Sequence, residues 1–541
     1  MRYSDVLQAG SLALHHPVEP YSRALDAPSP LSDEEIAAFN KLQEKLTRQF
    51  RDIFPDPRAP RCVVVVPSLS IAPELLAKID GVQFYEERML FALMLLRLPR
   101  TRLIYVTSEP LAPSIVDYYL NLLPGVPVNH AKSRLTLLSC FDGSPDPLAL
   151  KVLERPRLVQ RIREAIPDPE TCHLTVFNAT NLERTLAVRL GIPLYACDPG
   201  HCRAGTKSGS REAFEKAGIA MAPGFENLHS VDDVVDALTR LKEADPALRR
   251  AVVKLDEGVS GEGNAVVDLT NAPRSGIRDW MAENLPKRIR FEAKGETWEA
   301  YTREMERMGG IVETWIEGEN KRSPSMQGRI TPLGDVAVVS THDQVLGGPN
   351  GQVFLGCSFP ADSAYRLEIQ EAGRLIGEVL RDQGVIGRYG VDFISVPDGD
   401  GWKHYAIEIN VRKGGTTHPF LMLQFLTDGH YDTRTGLYQH PSGGPLAYYA
   451  SDNVVNPRYR GFTPWDLTDI AINQGLHFNS ATQQGVVFHL IGALSEFGKL
   501  GVLCISDTQE NAWQLYRDTV EVLDREAEAQ EEARAHCAVY R

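Results

Sequence analysis

The stretch from Arg388 to His418 restricts what this chain can fold into more tightly than any other part of it. Arg388-Tyr-Gly-Val-Asp392-Phe-Ile-Ser reads as a strand, Pro397-Asp-Gly-Asp-Gly as a turn, and Trp402 to Val411 as a second, antiparallel strand. Side chains alternate across a strand, so Glu408 and Asn410 share one face while Ile407 and Ile409 share the other. Two oxygen ligands two residues apart, opposite Asp392, make a hard-cation site suited to Mg²⁺ carrying phosphate groups. The wet face of any half-exposed hairpin also alternates in this way, so the two strands alone leave both readings open.

Upstream residues separate the readings. Ala251-Val-Val-Lys254-Leu is a short apolar strand holding one lysine, and Asp256-Glu-Gly258-Val-Ser260-Gly261-Glu-Gly263-Asn follows it, ahead of the strand Ala265-Val-Val-Asp268. Glycines and a serine at that density let backbone N–H groups close over phosphate oxygens. A second lysine, Lys207, stands in Gly205-Thr-Lys207-Ser-Gly-Ser-Arg211 before an amphipathic segment. Together with Asp392 and Glu408-Ile-Asn410, these features resemble the metal and phosphate end of the ATP-grasp ligases. The resemblance implies Asp392, Glu408 and Asn410 as Mg²⁺ ligands, with Mn²⁺ as a substitute, and Lys207, Lys254, Gly258, Ser260, Gly261 and Gly263 around the triphosphate of ATP. Ile311-Val-Glu313-Thr-Trp315-Ile316-Glu317-Gly-Glu319-Asn320 resembles the hinge of the D-alanine ligases. By that likeness Glu313 and the backbone around Trp315 and Ile316 meet the adenine. The ribose-binding acid of that family would fall at Asn320, so Glu317 or Glu319 is expected to substitute.

The order of elements makes the expected class α/β. A doubly wound N-terminal domain of the kind that precedes an ATP-grasp module comes first, then the two-lobed module, then a small C-terminal α+β unit. Cys62–Val66, Arg102–Val106, Arg134–Leu138 and His173–Phe177 read as buried parallel strands, separated by helical segments such as Tyr85–Leu96 and Ser114–Leu122. The expected divisions are an N-terminal extension at 1–60, with a helix from Ser32 to about Phe50, and the doubly wound domain at 61–200. The module takes 201–440, with a lid at 256–263 and a hinge at 311–320, and the C-terminal unit takes 441–541, ending in an acidic helix from Gln509 to about His536. Asn178-Ala-Thr-Asn181 is either a helix cap or an anion site built from free N–H groups.

A formal net charge of −14 argues against a nucleic-acid or anionic-membrane partner. Eight cysteines without a Cys-x-x-Cys pair fit reduced thiols rather than a disulfide framework or a zinc site. The N-terminus lacks a charged-then-apolar signal pattern, and the apolar run Met89–Leu96 is cut by Arg97, so a cytoplasmic protein is expected.

Ser340-Thr-His342-Asp343-Gln344, Glu408-Ile-Asn-Val-Arg412-Lys-Gly-Gly415-Thr416-Thr-His418-Pro and Phe488-His-Leu-Ile-Gly-Ala-Leu-Ser-Glu496 resemble the peptide ligases of pheganomycin-type natural-product biosynthesis. That resemblance implies an ATP-dependent ligase that phosphorylates a carboxylate and lets an amine displace the phosphate, joining an amino acid or unusual N-terminal acid to a peptide. Arg388 and Arg412 are then expected at the transferred phosphoryl group or the tetrahedral intermediate, and His342 as a base or a partner of the substrate carboxylate. Arg211, Gln344, Gly415, Thr416 and His418 are expected on the substrates. Two other readings stay open: a ligase that uses a small amine or another acceptor, and a non-catalytic ATP-binding regulatory protein on a retained fold, as in synapsins. Small carboxylates and amines or peptides are the expected partners, and a homodimer is left open as the assembly.

Overall fold

The computed structural model describes residues 32–538 except 72, 78, 259–262, 294 and 348–352. Ser260 and Gly261 of the expected lid, and the first 31 residues of the expected extension, lie outside the described residues.

Arg61–Val66 is apolar at every position after the first because both its faces are covered. Val63 and Val65 pack with Leu93, Leu103 and Tyr105, while Cys62, Val64 and Val66 pack with Ile104, Leu174 and Leu186. Parallel neighbours Thr101–Thr107 and Cys172–Val176 flank this strand, and Leu135–Ser139 lies outside the former, giving a four-stranded doubly wound sheet. The expected helix at Tyr85–Leu96 extends over Val82–Arg97 and is coiled as a 3₁₀ segment. Helix Asp33–Asp52 starts on the Ser32 hydroxyl, which accepts from the Glu35 N–H. It packs on helix Asn181–Leu190 with Phe39 and Leu46 buried, and Gln49 donates to the carbonyls of Glu170 and Cys172, so this part of the expected extension belongs to the α/β domain. At Asn178–Asn181 the cap reading holds. Thr180 accepts from the Leu182 N–H, and the Glu183 carboxylate accepts from the Thr180 N–H at 2.7 Å, leaving those donors occupied.

The smaller lobe of the central module is an antiparallel sheet in the order Gly224–Leu228, Gly310–Thr314, Arg250–Leu255, Asn264–Asp268, Ile289–Phe291. Helices Val231–Ala244, Ile277–Arg288 and Trp298–Met308 cover it through one apolar cluster. The larger lobe is built on a ten-stranded sheet. From its edge the order is Gly401–Asn410, Gly387–Asp398, Pro324–Ile330, Val336–Gly347, Val353–Phe359 and Pro445–Val455. Beyond that it branches to Leu437–Gln439 with His430–Asp432, and to Lys499–Ser506 with Gly485–His489. The expected C-terminal unit is therefore present but not free-standing: Tyr448 and Tyr449 pair with Phe359 and Ser358, continuing the module's own sheet. Its core is shared as well, running from Val63 and Tyr119 through Phe359 and Phe420 to Val486 and Leu503. Helix Gln509–Ala538 docks on Pro445–Val455 and Lys499–Ser506 through Ala512, Thr519, Leu523 and Ala527. Among the described residues, no helix is long and apolar enough to cross a membrane, and the cysteines are free thiols.

Helix Arg366–Asp382 lies close against the large sheet because two of its contact positions are glycines. Fully buried Tyr389 donates to the Gly373 carbonyl at 3.0 Å, and a Cβ on Gly377 would stand 2.0 Å from the same hydroxyl. Gly377→Val is expected to lower stability by about 2–3 kcal/mol through overpacking, read as a lower urea midpoint at unchanged slope. An unchanged midpoint would mean that helix and sheet part at no cost.

Candidate functional site

The hairpin brings the expected ligands together. Gly387–Asp398 and Gly401–Asn410 pair antiparallel with Asp392 opposite Glu408 and Gly390 opposite Asn410, and an irregularity follows Asp392. Gln344 donates its amide to Asp392 Oδ1 at 2.6 Å, and Asn410 donates to Oδ2 at 3.1 Å. Lys207 Nζ stands 2.6 Å from Glu408 Oε1. Burial pushes the Asp392 carboxyl up to about 7, with the Glu408 charge adding to it and Arg412, Lys207 and Gln344 opposing. Burial also pushes Glu408 up, but the charge and hydrogen bond of Lys207, helped by Arg412 and Lys254, outweigh it and hold Glu408 below the usual carboxylate range.

A carboxylate held near 7 lacks a counter-charge, and all three donors offer hard oxygen, so the set fits a divalent cation such as Mg²⁺. Among the described residues, no group of three or more His, Cys, Asp or Glu side chains is placed to hold a metal; here the third oxygen belongs to Asn410. Metal binding must displace the Asp392 proton, which is present below about pH 7. Mg²⁺ affinity is therefore expected to fall about tenfold per pH unit on the acid side of that value and to level off above it, which Mg²⁺ titration between about pH 6 and about pH 8 checks. A flat profile would mean that Asp392 is ionised without the cation.

Lys207 opens helix Lys207–Ala217, whose first turn is capped by Thr206 accepting from the Gly209 N–H at 3.0 Å. Asp256 fastens this helix to the base of the glycine-rich loop. Its carbonyl accepts from the Lys207 N–H at 3.1 Å and its carboxylate from the Ser208 N–H at 2.8 Å. Lys254 pairs with the buried carboxylate of Glu313, whose other oxygen is 3.4 Å from Arg211 Nη1. Gly258 and Gly263 flank the undescribed part of the loop. The Gly263 carbonyl accepts from the Leu255 N–H at 3.0 Å and from the Tyr301 hydroxyl at 2.9 Å. At the hinge, Arg250 and Lys321 each sit 4.8 Å over the Trp315 ring, and Lys321 donates to the Ile316 carbonyl at 3.0 Å. Glu317 and Glu319 are both exposed, and Glu317 pairs with Arg250 at 2.6 Å.

A cleft of about 400 Å³ opens beside Asp392, Glu408 and Asn410. Gln344, Asp392, Glu408, Asn410, Arg412, Gly415 and Thr416 line it from the large sheet and the loop after it, as expected. The opposite wall was not legible in the sequence. It holds Tyr85, Arg88 and Phe177 of the N-terminal domain, and Asp452, Asn453 and Lys499 from beyond the module. Arg88 Nη1 is 3.4 Å from Asp452 Oδ2, and its guanidinium lies 4.2 Å over Tyr85 and 5.0 Å over Phe177. Lys499 donates to the Tyr85 hydroxyl at 2.7 Å. Arg88 stands in an apolar helical run and Lys499 begins a buried strand, so neither carries a local signal.

Four expected residues sit elsewhere. His342 is fully buried, its Nε2 2.6 Å from the Tyr448 hydroxyl and its ring against Phe359, and burial pushes it down to about 3. It is a neutral packing residue rather than a base, because Phe420 of helix Thr417–Thr427 closes over Phe359. His418 is buried too, donating from Nδ1 to the Arg88 carbonyl at 3.2 Å, with its ring centre 4.4 Å from that of His489 and tilted against it, so it backs Arg88 rather than facing the cleft. Arg211 is occupied by Glu226 at 2.9 Å and by Glu313, tying its helix to the small lobe. Arg388 pairs in register with Arg329, four residues before Asp392 and roughly 13 Å along the strand, and lines a different cavity.

A family model described as IQCH-like, ATP-grasp matches residues 202–289 and 276–434, and one described as PGM1 C-terminal domain matches residues 466–519. The L-propargylglycine–L-glutamate ligase of Streptantibioticus cattleyicolor is 33% identical over 457 residues, which cover 83% of this chain and 91% of that protein. IQ motif-containing protein H of Danio rerio is 21% identical over 560 aligned residues, covering 92% of this chain but 51% of that longer protein. Among solved structures, the biotin carboxylase domain of the Hydrogenobacter thermophilus 2-oxoglutarate carboxylase, a complex with MgADP, ADP and bicarbonate, shares the fold. Its TM-score is 0.50 at 13% identity, covering 85% of this chain and 89% of that one.

Proposed function

The chain belongs to the ATP-grasp family of ADP-forming carbon–nitrogen ligases, and we propose that it activates the carboxylate of one amino acid and joins it to the amino group of a second amino acid or a peptide. One observation carries this reading: the metal hairpin, Arg412 and the pair Arg88–Asp452 all face one cleft. A zwitterionic substrate needs both a cation and an anion at its binding site, and Arg88, Lys499 and Asp452 provide them. The name of the Streptantibioticus relative describes a ligation of two amino acids, which supports the same class here.

In the proposed reaction the carboxylate oxygen attacks the γ-phosphorus of ATP, ADP leaves, and an acyl phosphate forms. The amine then attacks the acyl carbon, inorganic phosphate leaves with the bonding electrons, and the nitrogen loses a proton. A divalent cation held by Asp392, Glu408 and Asn410 would neutralise phosphate charge during the transfer, and Mn²⁺ is proposed as a substitute because every donor is an oxygen. Lys207 and Lys254 act as fixed cations at the phosphate end, each held ready on a carboxylate, Glu408 and Glu313. Arg88 and Lys499 orient the acid and Asp452 the ammonium, and the cleft walls limit the access of water to an intermediate that hydrolysis would waste. Glu317 and Glu319 remain the acids proposed for the ribose.

ADP release with Mg·ATP, measured against amino acids and peptides singly and in pairs with mass spectrometry of the products, tests the proposal. The expected result is ADP only with a productive pair and a product lighter than the pair by one water. Turnover with simple amines and none with amino acids or peptides would move the acceptor to the small-amine class. No ADP with any pair, despite tight nucleotide binding, would favour the regulatory reading.

A further inference from the structure

A second cavity, of about 250 Å³, lies between the N-terminal sheet and the large sheet, sharing Phe177, Asn178 and Arg412 with the first. Its charged lining consists of Arg61, Arg329, Arg388, Arg412 and Lys413, with no aspartate or glutamate among the lining residues. Among the described residues these five cations form no salt bridge. What they do bond is neutral. Lys413 Nζ donates to the Thr175 hydroxyl at 3.2 Å and the Val176 carbonyl at 2.5 Å, and Arg412 Nη1 to the Lys413 carbonyl at 3.0 Å. Arg61 donates to the carbonyls of Ile53 and Asp56. Arg61 Nε, Arg329 Nε and His173 Nδ1 are buried with no hydrogen-bond partner at all.

Like charges gathered in a low-dielectric cavity repel one another, and a fold tolerates this where an opposite charge completes the set. Burial, with Arg329 adding and Tyr195 opposing, pushes Arg388 down to about 10, and burial, with Arg388 adding, pushes Lys413 down to about 7. We propose that this cavity is a binding site for a small dianion, a phosphate or a dicarboxylate, separate from the nucleotide cleft. Guanidinium forks suit either group through paired N–H donors. The volume lies below that of pockets for drug-sized ligands, which suits a small ion, and Phe91, Leu421 and Phe425 offer apolar contact to a short carbon chain. An occupant would also draw on Arg412, so occupancy is felt in the catalytic cleft. The site does not depend on which reaction that cleft performs.

The test is calorimetric and thermal titration of the full chain with inorganic phosphate and, separately, with glutarate, without nucleotide or divalent cation and at constant ionic strength. The expected result is saturable binding of at least one anion with a rise in melting temperature. Arg329→Gln and Arg388→Gln should each weaken it about tenfold or more. Without the anion both variants should melt no lower than the wild type, since a repelling charge has gone. Phosphate binding alone points to a phosphate source and glutarate binding alone to a carboxylate source, and either supports the site. If the charge variants do not fold, Ala179→Leu, which narrows the cavity and keeps every charge, should lose binding instead. No saturable binding of either anion, or binding unaltered in the variants, overturns the proposal.

Discussion

Glu408→Gln is expected to cut turnover by about two orders of magnitude or more, the scale seen when one group that stabilises transferring charge is lost. The substitution is nearly isosteric, so the 2.6 Å approach of Lys207 survives through the remaining carbonyl oxygen and the fold is retained. What disappears is the negative charge opposite Asp392. The cation loses one of two anionic ligands, and Asp392, freed from its neighbour's charge, ionises at a lower pH than before. The defect should therefore lie in Mg²⁺ dependence: a raised Mg²⁺ requirement, partial recovery at high Mg²⁺, and an unchanged melting temperature. A variant that keeps most of its turnover at limiting Mg²⁺ would remove Glu408 from the ligand set.

The hairpin that gathers Asp392, Glu408 and Asn410 was legible because everything that defines it is local. One turn fixes the register of two strands, and alternation then places Asp392, Glu408 and Asn410 on one side. His342 was expected from the likeness of its motif, and the structure buries it instead. It sits on the same side of its strand as Gln344, which does reach Asp392, but alternation says nothing about what covers that side, and helix Thr417–Thr427 covers it at His342. Arg388 failed for a related reason, since sharing a face with Asp392 still leaves it four positions away along the strand. Arg88 with Asp452, and Lys499 with Tyr85, are partners 364 and 414 residues apart, and no local pattern announces such pairs. In the fold, the valine-rich strand Arg61–Val66 identified itself by being apolar on both faces, whereas Leu137 on the edge strand is exposed. The fusion of the C-terminal strands to the large sheet did not, because a strand's composition shows that it is buried without naming its neighbour.

Arg412→Ala is expected to lower turnover by about 10²–10³-fold while Mg·ATP affinity stays near the wild-type value. The residue stands two positions beyond Asn410, with one Nη1 hydrogen bond to the Lys413 carbonyl and no carboxylate fixed to it. Burial pulls its pKa down against the charges of Glu408 and Asp392, yet a guanidinium keeps its proton throughout the working range. It is thus a spare, charged fork facing the cleft. In the proposed site Lys207 and Lys254, held on Glu408 and Glu313, are the cations for the resting phosphates, so the ground state is expected to lose little when Arg412 goes. The transferring phosphoryl group and the oxyanion of the later tetrahedral intermediate carry charge that the bound substrates do not, and a donor at that position acts on the difference. Hydroxylamine trapping of the acyl phosphate, run with the carboxylate substrate alone, separates the two steps. A loss of hydroxamate in proportion to the loss of turnover places Arg412 at phosphoryl transfer, and normal hydroxamate with failed ligation places it at aminolysis. Arg412→Lys, which keeps the charge and loses the fork, should fall between the wild type and the alanine variant. A collapse of nucleotide affinity in Arg412→Ala would instead make it a ground-state ligand of the phosphates.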